Sequence, residues 1–324
     1  MALAFPRAGI RGRIAARFDT GHAEQDLVRN FIARCWLPAA LALLFAAGPA
    51  QAATTIEGVF ALIGGKQQVA GELVATPAAT PNDLKLDISF HRVAETNALK
   101  RYDTELNRQM HVIAISDDLS VFMHHHVAHV IDGHGQVRMV FPQPGLYHIY
   151  VDAAPKTIGQ QVLRFDLTVG DDPATPLLSR PLGTPETSGK SGLYTLDFDQ
   201  LDLKAGQASQ LILHISEHGK PARDLHEYLG VPAHIVLIGA QSLAYAHVHP
   251  LGGDMAGMKM DSHDEGGAEH DSTPDMSMPP GDDPPSPSDL TLHVPALPAG
   301  PYKLWVQFMG GRTLYTVPFV AVVK

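Results

Sequence analysis

The chain is poor in cysteine, in helical periodicity and in aromatic side chains. Its 324 residues hold one cysteine, Cys35, so neither an internal disulfide nor a metal site built from several thiolates can form. Aromatic residues make up 7% of the chain, and apolar residues at helical spacing are nearly absent, which argues against a helical bundle. The apolar run Trp36–Ala47 is too short for a comfortable membrane span. No Gly-rich phosphate loop, Gly-x-Ser-x-Gly elbow or His-Glu-x-x-His motif occurs, so the commonest signatures of nucleotide, acyl-transfer and zinc-protease chemistry are missing. Positive charge is also scarce, with 24 Lys and Arg against 34 Asp and Glu, a formal net charge of −10. Nucleic acid and anionic membranes are poor partners for that balance.

What is present begins with an export pattern. Arg29 and Arg34 precede the apolar run, and the small residues Ala50-Gln51-Ala52 follow it. Residues 1–52 are therefore expected to be a signal peptide cleaved near Ala52, placing the protein in the periplasm or outside the cell, with no membrane insertion afterwards. The part before about residue 28 is longer than an ordinary leading region, as a true start near Val28 would explain. Cys35 would leave with this segment. The remaining 272 residues (324 − 52) carry 31 acids and 18 bases, a balance of −13.

Short alternating runs dominate those residues: Asp83–His91, Val137–Phe141, Leu146–Val151, Val162–Val169, Leu193–Phe198, Gln210–Ser216, Leu290–Val294, Tyr302–Phe308 and Leu314–Val323. Separated by Gly and Pro turns, they read as an all-β chain of sandwich type. Helix is expected only at Ala94–Arg108, with a further turn at Asp224–Leu229.

One stretch is present twice. His111–His126 (HVIAISDDLSVFMHHH) and His234–His249 (HIVLIGAQSLAYAHVH) superpose at a constant offset of 123, matching His111 with His234, His124 with His247 and His126 with His249. Duplication extends upstream at an offset of 127 (Leu84–His91 with Leu211–His218) and downstream at 155 (Pro144–Tyr147 with Ala299–Tyr302). Two tandem modules follow, residues 53–170 and 192–324, joined by a Pro-, Gly- and Ser-rich linker at 171–191.

Each duplicated stretch reads as a β-hairpin. With an even-length turn at Asp117–Ser120 or Ala240–Leu243, His111 opposes His126 and His234 opposes His249, while His124 and His247 join on the same face. Three imidazoles would then converge at the open end of each hairpin, an arrangement that suits copper or zinc. His125, His129 and His134 would thicken the first site, and His91 and His218 are further candidates. His148, His214, His226 and His293 read as ordinary sheet or surface residues. Structural histidines capping strand ends are the competing reading.

The jump in offset from 123 to 155 marks an insertion of 32 residues (155 − 123) after His249. The stretch at about 250–289 contains ten acids against Lys259 alone, five of the ten methionines (Met255, Met258, Met260, Met276, Met278), and His263 and His270. Such a composition buries no core and is expected to be disordered. Thioethers and imidazoles without thiols favour copper, Met selecting Cu(I).

The run Gly219–Gly230, then His234, Tyr245-Ala246-His247-Val248-His249-Pro250, Pro298–Tyr302 and Pro318-Phe319 resembles the secreted bacterial modules grouped as YtkA-like. The first module resembles them from Asp118 to Tyr150 but has Val127 where the pattern places proline. The resemblance implies tandem immunoglobulin-like β-sandwiches, often encoded beside metal-handling proteins, and the insertion resembles loops of periplasmic copper-resistance proteins. The expected function is copper buffering or delivery, with the metal ion and another envelope metal-handling protein as partners. A metal-free interaction module of an envelope assembly is the alternative. A three-histidine zinc enzyme is less favoured: the second hairpin has no carboxylate, and Asp117 and Asp118 in the first lie roughly 20 Å from its histidines at strand rise.

Overall fold

A computed structural model of the chain describes residues 52–80, 82–170, 182–251 and 285–324. The export segment apart from Ala52, linker residues 171–181 and insertion residues 252–284 lie outside the described residues, and with them Met255, Met258, Met260, His263, His270, Met276 and Met278. The described residues belong to one compact unit.

The fold is all-β, two immunoglobulin-like sandwiches in tandem. In the first, one sheet runs Thr54–Glu57, Val69–Pro77, Asp83–Arg92, His134–Val140. The facing sheet runs Val59–Phe60, Gln161–Val169, Gly145–Pro155, Met110–Ser116, Phe122–Val127. The second sandwich repeats this plan, with Ser188–Ser191, Tyr194–Phe198, Ser209–Glu217, Asp289–Val294 and Pro250–Leu251 in one sheet. Its other sheet orders Asp202–Leu203, Thr313–Val323, Gly300–Gly310, Ala233–Gly239 and Tyr245–Val248. Alternation of buried and open residues along Val69–Pro77 and Ser209–Glu217 is what a sheet with one core face produces. Tyr147 donates to Gln143 O at 3.0 Å and Tyr302 to Pro298 O at 3.0 Å, the tyrosine corner of such sandwiches present in both copies.

Two expectations are corrected. Residues 94–108 form no helix: Ala98 bridges His91, Tyr102–Asp103 pairs with Pro155 and Ala154, and Leu106 and Asn107 have φ of 51° and 59°. Sheet pairing and a left-handed turn use the backbone groups that a helix would need. The linker is also shorter than 171–191, because Ser188–Ser191 is a strand paired with Tyr194–Asp197.

Met110–Ser116 and Ala233–Gly239 are buried along their whole length, so each strand is covered on both faces. Met110, Val112 and Ala114 enter the first core, and Ala233, Ile235 and Leu237 the second. The opposite face of each strand belongs to a third apolar cluster shared by the modules, containing Ile113, Ile115, Leu119, Tyr150, Val162, Val236, Ile238, Ala240, Tyr245 and Trp305. This junction is pseudo-symmetric. Phe122 stacks on Trp305 at 5.2 Å and 18°, and the corresponding pair Tyr245 and Tyr150 stacks at 4.8 Å and 12°. Trp305 is 3% exposed, so Trp305→Ala is expected to cost about 3–5 kcal/mol. Urea unfolding checks this: the midpoint should drop, and an unchanged midpoint would show that the modules do not depend on the stacked pair.

Candidate metal centre

His111 and His234 continue the junction-facing side of the two fully buried strands, two residues before Ile113 and Val236. The hairpin registers supply their partners. His111 lies opposite His126 and Ile113 opposite His124. Val236 lies opposite His247 and Ile235 opposite Val248, which brings His249 beside His234. Each loop has the four-residue length that keeps this parity, closed by Ser116 N to Val121 O at 3.2 Å and Gly239 N to Ala244 O at 2.8 Å. The copies diverge after the last histidine. Val127 stays in its sheet against Met110, whereas Pro250 crosses to pair with Leu292 in the other sheet.

Because the modules meet on this face, the triads meet too. Within the first, ring centroids are 4.8 Å (His111–His126), 4.3 Å (His124–His126) and 5.8 Å (His111–His124) apart. The second repeats them at 4.8, 4.5 and 5.5 Å. Between triads, His111–His247 at 5.2 Å mirrors His124–His234 at 5.0 Å, and His111–His249 at 6.3 Å mirrors His126–His234 at 6.1 Å. The six rings form one cluster with a local two-fold axis.

Their inward nitrogens are lone-pair donors. His234 Nε2 donates to Tyr228 O at 2.9 Å, and His111 Nε2 to Glu105 O at 3.4 Å, so in each neutral ring Nδ1 is the bare nitrogen. Both carbonyls sit on equivalent tight turns, with positive φ at Leu106 and Asn107 and at Leu229 and Gly230, residues of which asparagine and glycine tolerate that conformation best. His124 Nδ1 donates to Gln307 Oε1 at 3.1 Å, which leaves Nε2 bare. In the second triad His234 Nδ1, His247 Nε2 and His249 Nε2 form a triangle with sides of 3.3, 3.1 and 3.2 Å. Tetrahedral coordination at about 2.0–2.1 Å needs nitrogen–nitrogen edges of about 3.3–3.4 Å. The triangle is within a few tenths of that face. In the first triad the equivalent atoms, His111 Nδ1, His124 Nε2 and His126 Nε2, are buried without a hydrogen-bond partner among the described residues. Buried bare nitrogens are costly unless something binds them.

His111, His124, His234 and His247 can together hold a metal ion, their ligand atoms lying within 4.8 Å of one another. A 4.8 Å edge exceeds the span of about 4.2 Å across one ion at 2.1 Å bonds, so a shared site would need movement. The tighter triangle makes the within-module triad the better-formed cradle.

Burial keeps all six rings neutral. It holds His111 and His234 down at about 4, His249 at about 3 and His126 at about 2, with neighbouring rings adding to the effect at His234, His249 and His126, and the Arg108 charge adding to it at His111. His124 and His247 are also held well below the ordinary value, first by burial and then by their neighbours.

The other histidines are elsewhere. His125 alternates onto the opposite face of its strand, beside Met123 and Val127 of the first core's surroundings. His129 is exposed, and His134 Nδ1 pairs with Asp87 Oδ1 at 2.6 Å in the other sheet. Hence His125 and His134 do not thicken the first site. His91 bonds to Arg92 O, and His218 occupies a turn with φ of 49°. His148, expected to be ordinary, is 3% exposed and bridges Asp117 at 2.8 Å and Asp166 at 2.7 Å, tying the hairpin loop to the neighbouring strands.

Sequence reasoning missed two carboxyl groups beside the cluster. Glu105 Oε1 is 3.7 Å from His249 Nδ1, and burial raises its carboxyl above the usual range. Asp152, 2% exposed, lies opposite His111 in register and is pushed up to about 7, by burial first and then by Glu105. The duplication offsets could have flagged both, since 105 corresponds to 228 at the hairpin offset of 123, and 152 to 307 at 155.

Residues 189–324, the second sandwich, match the family model described as a domain of unknown function (DUF8832). No curated protein matches the chain.

Proposed function

We propose that this protein binds copper at the paired histidine triads, and buffers or hands on the metal in the periplasm or outside the cell. The observation that carries this reading is the triangle of His234, His247 and His249 nitrogens at 3.1–3.3 Å, repeated in ring placement by His111, His124 and His126. Neutral imidazoles with bare nitrogens take copper or zinc equally well in geometry. Copper is favoured over zinc by the soft thioethers of the insertion, which starts within a few residues of His249. The export pattern at the N-terminus supports the location, and exchange with another envelope metal-handling protein would complete the role.

Native mass spectrometry of the purified chain after copper loading tests the proposal. The wild type should retain two more copper ions than His111→Ala/His234→Ala, whatever the insertion itself contributes. An equal copper count in the two proteins rejects the triads as the site, and no retained copper at micromolar metal rejects the function.

A further inference from the structure

The two triads occupy one cluster, and every ligand nitrogen in it is uncharged. Rings of opposite triads approach to 5.0 Å (His124–His234), 5.1 Å (His124–His247) and 5.2 Å (His111–His247). Ligand atoms of His111, His124, His234 and His247 lie within 4.8 Å of one another. With a bond of about 2.1 Å on each side, ions held by these atoms of the two triads sit at most about 9 Å apart. The carboxyl groups nearby supply no ligand. Glu105 meets His249 at Nδ1, 3.7 Å away, whereas the nitrogen triangle uses Nε2. Asp152 opposes His111 in register, and its two oxygens accept from Gln160 Nε2 at 3.0 and 2.9 Å. Arg108 brings positive charge that bears on His111 and His126. Among the described residues, no carboxylate therefore stands in the ligand set to offset a second ion.

We infer that the paired triads select metal by charge: they hold two monovalent ions, Cu(I), together, but only one divalent ion. This rests on the copper reading above. At a given separation in a given medium, two dications repel four times as strongly as two monocations. Salt screens that repulsion little inside a buried cluster. Taking an ion out of water also costs more as its charge rises, and neutral imidazoles leave the charge uncancelled. A dication in one triad therefore weakens the other triad for a second dication. A monocation does so far less. No difference between the triads is needed, since either can be the one filled first.

The test titrates the full chain separately with Cu(I), Cu(II), Ag(I) and Zn(II), the Cu(I) series without air. Native mass spectrometry counts the ions, and chelator competition gives the affinities. Each count is taken relative to His111→Ala/His234→Ala, which removes whatever the insertion binds. Ag(I) and Zn(II) are closed-shell ions, so they separate charge from redox change. Cu(I) and Ag(I) should each add two ions with affinities within about tenfold of one another. Cu(II) and Zn(II) should each add one, a second binding at least about 100-fold more weakly. His126→Ala and His249→Ala each spare one complete triad. Both should hold a single ion of either charge tightly, the divalent ion as tightly as the first in the wild type. Two Cu(II) or two Zn(II) held with equal affinity would overturn the selection while leaving the copper site intact. A second Cu(I) as weak as the second Cu(II) would do the same. No copper above the reference count in either oxidation state would remove the copper reading first.

Discussion

Metal-free protein should lose several kcal/mol of stability between about pH 6.5 and pH 4, the window in which unfolded histidines take up protons. Six imidazoles are buried in one cluster, and every one is held below the ordinary histidine value. The sign follows from proton counting. Between about 4 and 6.5 the folded rings stay neutral while the unfolded chain binds protons, so stability rises with pH and is lost on acidification. Each ring contributes at most about 1.4 kcal/mol per pH unit, and opening of the junction should reduce the total below the sum. Asp152 acts in the opposite direction. Its carboxyl is pushed up to about 7, so its contribution favours the folded state at low pH and declines as pH rises. One carboxyl does not reverse six imidazoles. Urea unfolding at pH 7.5, 6 and 5 measures the slope, with a variant carrying glutamine at all six positions as the control. A flat stability from pH 7.5 to 5 in the wild type would contradict the burial of neutral rings.

The strands and the duplicated hairpins were legible because their signals are local. Alternation marked Val162–Val169 and Tyr302–Phe308, and a constant offset aligned six histidines whatever the fold around them. Parity within a hairpin then put three rings on one face. The meeting of the two triads was not legible. Ile113, Ile115, Val236 and Ile238 cover the junction, yet in sequence they are indistinguishable from the core residues that alternate with them. A fully apolar strand does not say what covers its second face. Glu105 was hidden by a stretch read as helix, whose two left-handed residues at Leu106 and Asn107 instead turn the chain back. Asp152 was hidden by distance, reaching His111 only through sheet pairing.

The second large effect should come from copper itself. The bare nitrogens of both triads are assembled in the folded state, whereas the unfolded chain offers only scattered imidazoles. A ligand that binds the folded state stabilises it by about 4.1 kcal/mol when its free concentration is 1,000 times Kd, so two filled sites would add up to about 8 kcal/mol. For a chain of this size, each kcal/mol moves Tm by about 2–4 °C, which predicts a rise of well over 10 °C. Copper bound by the unfolded chain will trim that figure. Calorimetry with and without stoichiometric copper, followed by a chelator, measures the shift and its reversal. His124→Ala/His247→Ala should lose most of it, because each substitution removes a ring whose inward nitrogen completes a triad. A full shift in that variant would assign the stabilisation to ligands outside the cluster. The same experiment at pH 5.5 connects the two effects: copper should add more there than at pH 7.5 if it blocks acid opening, and less if protons displace it. The first outcome is expected, since rings held at about 4 or below remain bare at pH 5.5 while the unfolded chain is already protonated.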